Sequence, residues 1–130
     1  MKLTATSAAA ALLLAAGITS GACAGGSAKV ISAQEAKSRM NADRSVIVLD
    51  VRTPEEYAEK HIPGSVLLPL DTIERDAAKA IPDKKRTILI YCRSGRRSAI
   101  AGQILVSMGY SSVFDFGGIN RWPYATVSGK

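Results

Sequence analysis

Apolar residues in this chain gather in short unbroken runs, with stretches of helical character between them. "SVIVLDV" from Ser45 to Val51 and "TILIY" from Thr87 to Tyr91 are the clearest runs. Continuous apolar runs of this length mark strands buried on both faces, as in parallel sheets. Val30 and Ile31, "SVLLPL" from Ser65 to Leu70, and "SSVFDF" from Ser111 to Phe116 read as shorter strands. Ser32 followed by Glu35 is a capping box, which predicts a helix to about Met40. Thr53 as N-cap, Pro54 at the first helical position and Glu56 completing a second box predict another. Asp71 or Thr72 caps "DTIERDAAKA". "RRSAIAGQILVSM" is a helix stopped by Gly109, and "GGINRWPY" is a turn with one helical turn. Strands and helices alternate, and the loops are too short for anything but right-handed crossovers. The expected fold is α/β, a mainly parallel sheet of about five strands with helices on both faces. A length of 130 residues supports a single domain.

The start of the chain does not follow this pattern. Lys2 precedes an uncharged run of small and apolar residues from Ala8 to Ile18, followed by "TSGACAGGS". That is the pattern of a secretory signal peptide, expected over residues 1–24 with the working domain at 25–130. The run falls short of the ~20 apolar residues that a membrane span needs. Two processing routes fit. Ala22-Cys23-Ala24 allows cleavage after Ala24. "SGAC" is similar to a bacterial lipobox, with cleavage before Cys23 and lipid on that residue, although Ser20 stands where such a box carries an apolar residue. The small, flexible "AGGSA" would then serve as a tether. Either route puts the domain outside the cytoplasm, periplasmic or anchored to the outside of a bacterial membrane as a lipoprotein.

The chain holds 17 Lys and Arg against 11 Asp and Glu, a net charge of +6. Loss of residues 1–24 removes one cation, Lys2, and no acid. The excess is too small, and too poor in interleaved aromatics, to suggest nucleic acid. It is concentrated around one cysteine, which suggests a small anion as partner.

That cysteine lies in "YCRSGRRS", Tyr91 to Ser98. With Cys23 removed or lipidated, Cys92 is the only thiol of the mature domain, and no internal disulfide can form. Its place at the end of a buried strand is where open α/β sheets bind ligands, and Asp50 ends the neighbouring run at the same rim. A loop through Ser94 and Gly95 into a helix N-terminus can aim N–H groups at the sulfur. Arg93, Arg96 and Arg97 add full charges. All of these favour a thiolate, the nucleophilic form. Arg97 is expected to contribute its backbone N–H rather than its side chain.

"VIVLDVRTPEEYAEKHIPGSVLLPL", "ILIYCRSGRRSAIAGQILVSMGY" and "FDFGGINRWPY" together resemble a single-domain rhodanese over about Val30 to Tyr124. The marks are Asp50-x-Arg52, "HIPG" from His61 to Gly64, the Cys92 loop, and "GGI" followed by Trp122. With the leader, the chain is similar to the exported phage-shock protein E type. The resemblance implies sulfur transfer. Cys92 would take the outer sulfur of a small anionic donor such as thiosulfate, with the Arg93–Arg97 loop holding the persulfide, and pass it to a thiophilic acceptor, cyanide or a thiol. It implies no metal and no organic cofactor, and His61 alone would not make a metal site. Asp50 and Arg52 would either position the rim or touch substrate, His61 would fix the turn before Pro63, and Trp122 would pack. Two rival chemistries use a cysteine in a similar place. A cysteine phosphatase needs Cys-x5-Arg, and here Ser98 occupies the arginine position. A sulfur carrier or thiol redox sensor on the same scaffold would modify Cys92 without turning over.

Overall fold

The computed structural model describes residues 26–130, so the expected leader and Cys23 lie outside the described residues. Five strands form one sheet: β1 (Lys29–Val30), β2 (Ile47–Asp50), β3 (Val66–Leu67), β4 (Ile88–Cys92) and β5 (Val113–Gly118). Their order is β1-β5-β4-β2-β3, and each adjacent pair is parallel. The two longest apolar runs of the sequence thus lie side by side as β2 and β4. Four helices complete the fold: α1 (Ala33–Ala42), α2 (Pro54–Glu59), α3 (Ile73–Ala80) and α4 (Arg96–Ser107).

The alternation of a strand divides the core in two. Ile88, Ile90 and Cys92 of β4 pack with Ile73 and Ala77 of α3 and with Ala101 and Leu105 of α4. Leu89 and Tyr91 point the other way, toward Ala36 of α1, Ile62, Phe116 and Trp122. Both faces are therefore covered, as continuous apolar strands require.

Local signals mostly did what their chemistry predicts, with three differences. The Ser32 hydroxyl accepts the Glu35 N–H at 3.0 Å, but the Glu35 carboxylate turns along α1 to Arg39 at 2.8 Å, so that capping box is only half made. A guanidinium one turn on is the stronger partner. At α2 both halves form, Glu56 N–H to the Thr53 hydroxyl at 3.2 Å and Thr53 N–H to Glu56 Oε1 at 3.0 Å. Thr72 takes the N-cap position of α3, as one of the two expected residues, but makes no side-chain capping bond. A 3-10 turn over Leu70–Thr72 runs straight into it, and the Thr72 hydroxyl donates to the Pro69 carbonyl instead. The strand expected over Ser65–Leu70 shrinks to Val66–Leu67, just before Pro69, which has no N–H for a ladder.

Two polar braces hold the carboxyl ends of the strands. The first is buried. Asp50 has no exposed surface, and Arg52 binds it through Nε at 2.9 Å and Nη2 at 2.7 Å. The Arg52 N–H and the Tyr91 hydroxyl also donate to that carboxylate, at 2.9 and 2.7 Å. The Tyr91 oxygen in turn accepts the Ile62 N–H at 3.1 Å and lies 3.1 Å from the Ser65 hydroxyl. Arg52 Nη2 reaches the Lys60 carbonyl at 2.7 Å. Burial raises the Tyr91 pKa well above the ordinary phenol value, and donation to Asp50 adds to the rise. Burial opposes the charge on Arg52, but the Asp50 carboxylate outweighs it and the pKa rises. The second brace joins α2 to α4. Arg97 Nη1 and Nη2 meet Glu56 Oε1 and Oε2 at 2.8 and 2.9 Å, a bidentate pair.

Tyr91→Phe should leave the Ile62 N–H buried without a partner and take one donor from Asp50. The expected loss is about 1–3 kcal/mol in urea unfolding. The second brace should show in acid. Arg97 holds the Glu56 pKa at about 2, below its ordinary 4.5. A depressed carboxylate pKa contributes stability that is full above pH 4.5 and is lost as pH falls through about 2. Glu56→Gln should therefore be less stable than the parent at pH 6 and lose less stability between pH 5 and pH 3, read from urea midpoints at each pH.

Candidate active site

Cys92 is the last residue of β4, not the first residue beyond it as the apolar run suggested, because it still pairs with Gly118 of β5. Its side chain is 1% exposed. The chain turns through Arg93 and Ser94 and enters α4 at Gly95, which adopts φ 111°, a conformation that favours glycine. This turn brings the Gly95 N–H back onto Cys92 Sγ at 3.0 Å. Ser98, in the first turn of α4, is fully buried. Its hydroxyl lies 3.6 Å from Sγ and donates to the Gly95 carbonyl at 3.1 Å, closing the loop.

The opposite wall comes from β5. Its register against β4 shifts between Ile90 and Cys92, where three residues of β5 span two of β4. Gly117 sits in this bulge at φ 90°, with its N–H on Asp115 Oδ1 at 2.9 Å. The bulge presses Gly118 against the Cys92 loop. A Cβ at Gly118 would lie 2.1 Å from the Arg93 carbonyl oxygen. The Asn120 N–H donates to that oxygen, at 3.2 Å.

The expected ring of cations is only partly present. Arg93, Ser94 and Arg96 are exposed at the mouth, and neither arginine is in an ion pair among the described residues. Arg97 is half-buried and bound to Glu56. Among the loop amides, that of Gly95 makes the hydrogen bond to Sγ, not the expected amide of Arg97. Asp50 and Arg52 belong to the buried brace beneath the rim. Arg52 also lines a cleft of about 400 Å³ beside the loop, with Glu56, Glu59, Lys60, Arg93 and Asn120. His61 is tied into the fold. Its ring stacks on Tyr57 at 3.7 Å, its Nδ1 lies 2.8 Å from the Tyr57 carbonyl, and its backbone pairs with Val127. Trp122 packs between Phe116 and Tyr124. Among the described residues no group of three or more His, Cys, Asp or Glu is placed to hold a metal ion.

Sequence reasoning missed Ser98, Gly118 and the Glu56–Arg97 pair. Ser98 had a signal, a small polar residue opening an apolar helix. The paired glycines after "VFDF" were another, since glycine inside a strand marks a bulge or close backbone approach. The ion pair spans 41 residues and had none.

A rhodanese-like domain model matches residues 32–124. The chain is 40% identical over 81 residues to the thiosulfate sulfurtransferase PspE of Escherichia coli K12, covering 62% of this chain and 78% of that protein. It is 35% identical over 92 residues to the thiosulfate:glutathione sulfurtransferase of Saccharomyces cerevisiae, covering 62% and 66%. Among solved structures, a rhodanese with anions from E. coli superposes with a TM-score of 0.61 at 38% identity, covering 64% of this chain and 98% of that one. The family match starts at the N-cap of α1, ends in the aromatic cluster at Tyr124 and takes in every strand but β1, and on that extent the chain belongs to the rhodanese family.

Proposed function

We propose that this chain is a sulfurtransferase that carries a sulfane sulfur on Cys92. The observation that carries the reading is the Cys92 sulfur at the carboxyl end of the central strand, facing the Gly95 N–H at 3.0 Å. A donor aimed at that sulfur suits an anion there, whether thiolate or persulfide.

The reaction balances as two displacements. The Cys92 thiolate attacks the outer sulfur of thiosulfate. The Sγ–S bond forms, the S–S bond of thiosulfate breaks, and sulfite leaves with the electron pair. Cyanide or a thiolate then attacks the outer sulfur of the Cys92 persulfide, and the Cys92 thiolate is released. Arg93 and Arg96 supply positive charge at the mouth for a dianionic donor. The names of the E. coli and yeast relatives support thiosulfate as donor and a thiol as one acceptor. A phosphatase is disfavoured, because Ser98 stands where its arginine would be and is bonded inward to Gly95. Export of the domain is part of the same proposal and rests on residues 1–24 alone.

Given thiosulfate and cyanide, the protein should form thiocyanate with ping-pong kinetics. Cys92→Ser should lower that rate by about a thousandfold or more. Thiosulfate alone should add the mass of one sulfur atom to the parent and nothing to Cys92→Ser. Mass gain without turnover would replace the enzyme with a carrier. Gly118→Ala should displace the Arg93 carbonyl and lower kcat/KM by about tenfold or more, because small misplacements of a reacting group are costly. Its circular dichroism should stay that of the parent. In bacteria, incorporation of a labelled fatty acid that depends on Cys23 would mark the lipoprotein route, and its absence the soluble one.

A further inference from the structure

Glu56 sits between the Cys92 loop and the cleft beside it. Its carboxylate is held on both oxygens. Oε1 accepts from Arg97 Nη1 at 2.8 Å and from the Thr53 N–H at 3.0 Å, and Oε2 accepts from Arg97 Nη2 at 2.9 Å. The capping box of α2 and Arg97 thus hold the same carboxylate together. Arg97 is the sixth residue of the loop counted from Cys92 and belongs to the first turn of α4. Its guanidinium nitrogens Nη1 and Nη2 are both committed to Glu56. Arg93 and Arg96 make no ion pair among the described residues.

We propose that Glu56 sets the anion affinity of the Cys92 mouth by holding the Arg97 guanidinium out of it, so that a donor meets two free arginines rather than three. Glu56 is then a positioning residue, and the neutral Glu56–Arg97 pair tunes the site for a dianion that must arrive and a sulfite that must leave. A third free cation would slow that release. The inference rests on the sulfurtransferase reading for its biological meaning, but anion affinity can be read without turnover.

The test is a calorimetric titration of thiosulfate into Cys92→Ser protein, which binds without reacting, at low and at physiological salt. Adding Glu56→Gln should tighten binding by roughly three- to tenfold at low salt, with the gain shrinking as salt screens the freed charge. Removing both partners, Glu56→Gln with Arg97→Gln, should bring affinity back to within about twofold of the Cys92→Ser parent. Unchanged or weaker binding in folded Glu56→Gln protein overturns the proposal. If that variant does not fold, Glu56→Ala takes its place with the same expected tightening. A loss of about tenfold in the double variant means that Arg97 itself holds the anion and overturns the proposal. Thiocyanate turnover by the Cys92 protein is scored separately, so loss of the enzyme reading leaves this result standing.

Discussion

A cysteine 1% exposed at the end of a buried strand has no water to rely on, so any charge its sulfur carries has to be met by the protein. The fold meets it where backbone donors are free. A strand interior has none to spare, since its N–H groups are committed to neighbours. A helix N-terminus has several. Placing Cys92 on the last ladder position of β4 and starting α4 at Arg96 leaves three residues in which to turn the chain back. Gly95, with its positive φ, completes that turn, and its own N–H is the one that reaches the sulfur. Ser98 and the bulged end of β5 then close the pocket from two sides.

The turn needs a rigid base, and the Asp50 brace supplies it. Burying a carboxylate and a guanidinium costs several kcal/mol per ion unless nearly every hydrogen-bonding position is filled. Here the filling is close to complete, through Arg52, Tyr91 and the Lys60 carbonyl. The partners come from the end of β2, the end of β4 and the segment from Lys60 to Ser65. Such a network adds little net stability over an apolar core of the same shape, but it fixes the relative positions of the segments that make it. Tyr91 immediately precedes Cys92, on the opposite face of the strand. Locking the tyrosine ring on one face therefore fixes the strand end from which the thiol projects on the other.

Charge at the mouth follows the same separation of roles. Arginines close in sequence reach different partners, because a strand-to-helix turn points successive side chains in different directions. Arg93 and Arg96 face solvent, and Arg97 braces α2. The loop is richer in cations on paper than its mouth is in space.

The sequence by itself determined the order of elements, the parallel sheet and the place of Cys92. These follow from signals carried within a few residues: apolar runs, the Thr53–Glu56 box, Gly109, and a cysteine followed by a glycine-containing turn. It also located the Asp50 and Arg52 pair at the rim. The third member of that brace, Tyr91, is 41 residues from Asp50 and carried no local signal. The same distance in sequence separates Glu56 from Arg97. Ends of elements moved where tertiary partners outweighed local preference, as when Gly118 drew Cys92 into the ladder or Arg39 drew Glu35 from its cap. Hydrophobic period and capping are local and can be read along a chain. Which charged group meets which, and how closely two backbones approach, is settled only when the sheet brings distant segments together.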